Sequence, residues 1–300
     1  MFTGTGTALV TPFRRDGSLD ESALRALVER QIGAGIDFLV PCGTTGESPT
    51  LTHEEHLRVV EITVEVVKGN VPVLGGAGGY NTSEVIALAR ELAERGVDGI
   101  LSVTPYYNKP TQEGLYQHFK AIAEAVSLPI ILYSVQGRTG VNIEPATVAR
   151  LAQIANIVGI KEASGNILQM AAILNLVPDE FVVLSGDDAI TLPLIALGGR
   201  GVVSVVSNEI PAEMSRMVRL ALENRFAEAR EIHRRHHPLM EINFVESNPI
   251  PVKAAMAEMG LLEAAWRLPM VPPKAENLAR IRSVLESLGL VERAHAAVAN

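Results

Sequence analysis

Short apolar runs rich in β-branched residues recur roughly every 20 to 35 residues along the chain. They are Gly6–Val10, Ile36–Val40, Val71–Leu74, Gly99–Val103, Pro129–Tyr133, Ile157–Ile160, Phe181–Leu184 and Gly201–Val205. Most are apolar throughout and do not alternate with polar residues, as expected of parallel strands covered on both faces. Between them lie segments with apolar residues at three- and four-residue spacing, such as ESALRALVERQIGAG, HEEHLRVVEITVEVV, SEVIALARELAERG and PATVARLAQIA. That spacing predicts amphipathic helices. Ser18, Thr52 and Thr82 stand where capping residues are expected, and Gly33 and Gly96 where a helix closes on glycine.

Eight strand–helix units in the first 224 residues predict a (β/α)8 barrel, with a doubly wound sheet as the competing architecture. After residue 224 the strand pattern stops. FAEAREIHRRHHPLMEINFV, PVKAAMAEMG and ENLARIRSVLESLG predict a helical extension over residues 225–300, packed on a barrel of residues 1–224. No linker-like stretch separates the two.

Composition narrows the class. The chain has 300 residues, 47% apolar and 20% charged, within the range of ordinary globular enzymes. The charge balance is 26 − 34 = −8, and no basic face is visible, so nucleic acid is not an expected partner. No apolar run reaches the roughly 18 residues that a membrane span needs. The N-terminus lacks a basic start followed by a long apolar stretch, so a cytoplasmic location is expected. A single cysteine, Cys42, excludes an internal disulfide framework and a Cys-based zinc site.

In a barrel, chemistry sits at the carboxyl ends of the strands. The second run leads into Gly43-Thr44-Thr45-Gly46-Glu47, and the fourth into Thr104-Pro105-Tyr106-Tyr107-Asn108. The fifth ends at Tyr133 ahead of Gly137-Arg138-Thr139, the sixth at Lys161, and the seventh at Ser185-Gly186-Asp187-Asp188. Lys161 leaves an apolar wall. A lysine desolvated there is shifted toward the neutral amine, which can attack a ketone and form a Schiff base. A solvated loop lysine, or one paired with Glu162, is the plainer alternative. Tyr133 can shuttle protons, Thr44 and Thr45 can pass them on, and the N–H groups of the GTTGE turn can hold a carboxylate. Each of these residues also has an ordinary packing or capping explanation. Arg138 offers a planar fork for a substrate carboxylate, or a surface ion pair. His53 and His56 have the wrong spacing for a zinc motif. His233, His236 and His237 fall near one helix face, where a solvated basic surface explains them as well as a metal would.

GTTGESPTL, VTPYYNKPTQEGLYQHF, ILYSVQGRTG, GIKEASGN, LSGDD and FVESNPIPVK together resemble the dihydrodipicolinate synthase family, within the pyruvate-dependent class I aldolase superfamily. The likeness covers nearly the whole chain. It implies a lyase that condenses pyruvate with L-aspartate 4-semialdehyde to give 4-hydroxy-tetrahydrodipicolinate, the committed step toward diaminopimelate and lysine, without metal or organic cofactor. It implies that Lys161 forms the Schiff base and that Tyr133 donates and accepts protons. Thr45 would bind the pyruvate carboxylate and join Thr44 and Tyr133 in a relay. Tyr107 from a neighbouring subunit would complete that relay within a homotetramer built as a dimer of dimers.

The same resemblance assigns Arg138 to the semialdehyde carboxylate and places Val203 and Gly186 among the substrate-binding positions. Ser48, His53, His56, Tyr80, Glu84 and Tyr106 match a lysine-binding site at the dimer interface, with Tyr80 standing where asparagine is usual. The family's Tyr-Asn-Val-Pro reads Tyr133-Ser134-Val135-Gln136 here, so a looser path to Arg138 is expected. Another pyruvate aldolase or dehydratase, acting on a sialic acid or keto-deoxy sugar acid, is the alternative on the same scaffold. A barrel that binds a small molecule without covalent chemistry is a third reading.

Overall fold

The computed structural model describes residues 1–292. Strands and helices alternate: β1 (Gly4–Ala8), α1 (Glu21–Gly33), β2 (Phe38–Val40), α2 (His53–Val67), β3 (Leu74–Gly76), α3 (Thr82–Glu94), β4 (Gly99–Val103) and α4 (Gln112–Ala125). The second half continues with β5 (Ile130–Ser134), α5 (Gln136–Thr139), α6 (Pro145–Leu151), β6 (Ile157–Glu162), α7 (Ile167–Leu174), β7 (Val182–Ser185), α8 (Thr191–Ala196), β8 (Gly201–Ser204) and α9 (Pro211–Leu222). Three tail helices follow: α10 (Phe226–Ile242), α11 (Ile250–Glu258) and α12 (Ala275–Leu288).

All strand pairs are parallel, in the order β2-β1-β8-β7-β6-β5-β4-β3. The two ends meet through a bridge between Leu39 and Val73. Leu39 N–H donates to Pro72 O at 3.0 Å and Gly76 N–H to Pro41 O at 3.1 Å. The sheet is therefore a closed barrel, and the doubly wound alternative is excluded. Side chains alternate across it. Phe38, Val40, Leu74, Leu101, Ile131, Tyr133, Leu184 and Val203 fill the interior, while Leu39, Ile100, Ile130, Leu132, Ile160 and Val183 pack outward against the helices.

Each of the eight apolar runs overlaps a strand, with ends shifted by up to three residues. The largest shift is at β3, expected over Val71–Leu74 and found over Leu74–Gly76. Its glycines resemble a loop in the sequence, yet they are required by the barrel. A Cβ on Gly76 would lie 2.1 Å from the Cys42 carbonyl oxygen, so only glycine lets β3 approach the turn after β2. Helix ends differ by similar margins. Thr52 caps α2 within a capping box with Glu55. Asp20, not Ser18, caps α1, because the Ser18 hydroxyl is taken by Asp16. Asn81 caps α3, with Thr82 as its first residue. Gly96 adopts the left-handed conformation expected of it, but at α1 that role falls to Gly35 rather than Gly33.

Helix α10 packs on α9 and α12, and the tail helices share a core with α9 that includes Met214, Met217, Leu239, Ala255, Ile281 and Leu285. Residues 293–300 of the expected extension lie outside the described residues. No helix among the described residues is long and apolar enough to cross a membrane.

Candidate active site

Lys161 and Tyr133 are paired in register on β6 and β5. Both point into the barrel, since Ile160 between the interior positions belongs to the outer core. Lys161 is only 5% exposed, and its Nζ lies 4.1 Å from the centroid of the Tyr133 ring. The amine has room because of Gly186. A Cβ there would fall 2.5 Å from the Ala163 Cβ and 3.1 Å from the Lys161 Cε. Val203 belongs to the same interior layer. Glu162 does not pair with the lysine. It is buried on the outer face, accepting from Ser164 N–H and from Gln169 Nε2 at 2.8 Å. Burial raises its carboxyl above the usual range despite those bonds.

The turn after β2 is built to leave donors free. Gly46 N–H bonds Gly43 O and Glu47 N–H bonds Thr44 O, at 3.1 Å each. Cys42 (φ 55°) and Glu47 (φ 51°) bracket the turn in the left-handed region. The N–H groups of Thr44 and Thr45 donate to no carbonyl or side chain among the described residues. Successive free amides of this kind form an anion-binding nest. Thr44 and Tyr133 line one cavity of about 140 Å³.

Arg138 projects from the short helix α5, and among the described residues it pairs with no carboxylate. Its Nη2 donates instead to Asn248 O at 2.9 Å, which leaves the rest of the fork open. The segment that carries it is held without a proline. Arg138 N–H and Thr139 N–H both bond Val135 O at 3.0 Å, and Gly140 closes the helix in the left-handed conformation. Ser134 Oγ accepts from Ile143 N–H at 3.2 Å. Hydrogen bonds thus hold this segment where the family's proline is missing.

Two site residues escaped the sequence reading. Asn248 donates from Nδ2 to Thr45 Oγ1 at 2.9 Å while its carbonyl accepts from Arg138. It thus ties the turn after β2 to the arginine after β5. Lys253, fully buried on α11, ion-pairs with buried Glu47 at 2.5 Å. One signal was available: a lone lysine within the apolar stretch IPVKAAMA implies a buried counter-charge.

The remaining candidates divide. Tyr107 is 90% exposed at positive φ. Tyr106 packs edge-on against Tyr80 with centroids 5.3 Å apart. Tyr80, Glu84, His53 and Tyr106 line a second cavity of about 560 Å³. It borders the first, which holds Ser48 and His56. His53 pairs with Glu91 at 3.0 Å, and burial lowers the pKa of His56, whose Nε2 contacts Gly76 O. Cys42 is buried, and burial pushes its thiol well up, so it behaves as a small apolar residue. His233 and His236 contact backbone carbonyls, and His237 lies 3.5 Å from Glu241. Among the described residues no group of three His, Cys, Asp or Glu could hold a metal ion.

A buried amine beside a phenol ring at the carboxyl end of a closed parallel barrel, with a cavity next to that ring lined also by the turn after β2, defines the class: a (β/α)8-barrel enzyme. The chain belongs to the dihydrodipicolinate synthetase family, whose model matches residues 1–288. It is 57% identical over 292 residues to a 4-hydroxy-tetrahydrodipicolinate synthase of Koribacter versatilis, covering 97% of each chain. Its structure superimposes on the pyruvate complex of the chloride-inhibited dihydrodipicolinate synthase of Acinetobacter baumannii with a TM-score of 0.96, at 43% identity, covering 97% of this chain and 100% of that one. It is likewise similar to the lysine-bound enzyme of Cyanidioschyzon merolae, with a TM-score of 0.94, at 42% identity, covering 97% and 99%.

Proposed function

We propose that this protein condenses pyruvate with L-aspartate 4-semialdehyde to give 4-hydroxy-tetrahydrodipicolinate, through a Schiff base on Lys161. The observation that carries this reading is the buried Lys161 amine beside the Tyr133 ring, with Gly186 keeping the space next to it open. The neutral amine attacks C2 of pyruvate, and loss of one water gives the imine. Removal of a proton from C3 gives the enamine, which adds to the aldehyde carbon. The amine of the semialdehyde then attacks the imine carbon and displaces Lys161, closing the ring. One water leaves for each pair of substrates joined.

On this reading the free Thr44 and Thr45 amides hold the pyruvate carboxylate, and Tyr133 moves protons with Thr44. Gly186 and Val203 line the substrate, and Arg138 receives the semialdehyde carboxylate. Tyr107, exposed on the single chain, reaches the relay of a neighbouring copy in a cytoplasmic homotetramer. The residues around Tyr80 and Tyr106 bind L-lysine as a feedback inhibitor; activity that stays flat up to millimolar lysine removes that part.

A coupled assay tests the whole. Turnover with pyruvate and aspartate semialdehyde is expected to exceed that with N-acetylneuraminate or keto-deoxy sugar acids. The reverse order favours the aldolase alternative. Borohydride reduction with pyruvate that leaves Lys161 unmodified favours a non-catalytic binding protein.

A further inference from the structure

The Gly43–Glu47 turn is gripped by a helix more than 200 residues away. Glu47 holds a left-handed backbone (φ 51°, ψ 35°) that side chains other than glycine seldom adopt. Its carboxylate is 1% exposed and pairs with the ammonium of Lys253, itself 0% exposed. That ammonium stands 4.3 Å from the centroid of Phe13. Arg267, 4.1 Å from the same ring, is committed to Glu55 and so does not compete for Glu47.

A buried ion pair is a poor source of stability, since an apolar pair of similar volume often does as well. Its distinguishing property is direction. Here the direction runs from α11 to the residue that ends the turn whose preceding amides, Thr44 and Thr45, are unpaired. We propose that Lys253 is a positioning residue: through Glu47 it fixes the turn so that those two amides converge on the carboxylate of pyruvate. The ligand in this statement rests on the function proposed above; the hold of Lys253 on the turn does not.

The experiment compares Lys253→Met, Glu47→Met and the double variant. Each single change leaves a buried group facing a lost partner, so both are expected to lower Tm. The double variant is neutral and close in shape, so its Tm should recover to within a few degrees of the wild type. Two readouts are then taken on it. Hydrogen exchange at Gly46 and Glu47, the bonded amides of the turn, should rise about tenfold, with α2 and β2 unchanged. KM for pyruvate should rise roughly 10–100-fold, the scale of a small misplacement, while KM for the semialdehyde holds. A recovered Tm with wild-type exchange overturns the hold on the turn. Faster exchange with an unchanged pyruvate KM overturns the link to the carboxylate. Borohydride labelling of wild-type Lys161 by pyruvate is the control; if it fails, the proposed function falls, and the exchange result still decides what Lys253 does.

Discussion

Tyr133 and Lys161 are register partners on adjacent parallel strands, and the amine lies 4.1 Å from the centre of the phenol ring. The sheet, not a loop, sets this distance. The pair is therefore held by the barrel's own hydrogen bonds, the arrangement a covalent step needs if it is not to wait on a loop closing.

Lys161→Ala should abolish turnover by more than roughly 10³-fold, the scale on which loss of a covalent nucleophile acts. The fold should survive, because the change removes a buried amine with no ion-pair partner among the described residues. Steady-state rates, thermal unfolding and mass spectrometry after borohydride reduction check the three parts. An equal pyruvate adduct on the Ala variant would place the Schiff base elsewhere.

Tyr133→Phe keeps the ring against Lys161 and removes only the hydroxyl. Turnover should fall roughly 10²–10⁴-fold, as for other positioned proton transfers. Labelling of Lys161 at long incubation should persist. A variant as fast as the wild type would take the phenol out of the relay.

Arg138 and Asn248 separate the two half-reactions. Among the described residues the Arg138 guanidinium donates to Asn248 O alone, whereas Asn248 also reaches Thr45 through its side chain. Arg138→Ala should raise KM for the semialdehyde roughly 10–100-fold, the worth of a charge-assisted hydrogen bond, with pyruvate labelling intact. Asn248→Ala should impair both substrates. Equal loss of both steps in Arg138→Ala would contradict the division.

Lys161 and Tyr133 were legible because each ends an apolar run, and a parallel barrel turns the end of a run into a place in the site. The eight runs themselves were legible because both faces of each strand are covered, so no alternation blurs them. Asn248 and Lys253 were not, because they meet Thr45 and Glu47 across 203 and 206 residues, and no local period records such a contact. The caps misled for a local reason. At Ser18 and Asp20, and at Asn81 and Thr82, two capping residue types lie within two positions of each other, and only the geometry of the turn decides between them.

Stability should depend on pH through Glu209 and Asp188, both buried. Arg30 serves the carbonyls of Asn208 and Glu209 rather than either carboxyl. Asn243 Nδ2 donates to Glu209 Oε2, and the two atoms left without partners are Glu209 Oε1 and Asn243 Oδ1. A proton on Oε1 would turn it into a donor, for which Asn243 Oδ1 is an unpartnered acceptor on the residue already bonded to Oε2. Burial, with the charge of Asp188 adding to it, raises Glu209 well above the usual carboxyl range. Burial also raises Asp188 to about 6. The folded chain therefore keeps protons that the unfolded chain has already released, and stability falls as pH rises through that interval. For Asp188 the interval runs from the ordinary 3.8 to about 6, worth on the order of 3 kcal/mol when fully crossed. For Glu209 the direction is the same. Glu209→Gln supplies both hydrogen bonds without a proton, so its Tm advantage over the wild type should grow steadily as pH is raised. Thermal melts of the two proteins from roughly pH 5 to 9 measure it, and a Tm difference that stays constant over that range would mean Glu209 is not the group that titrates.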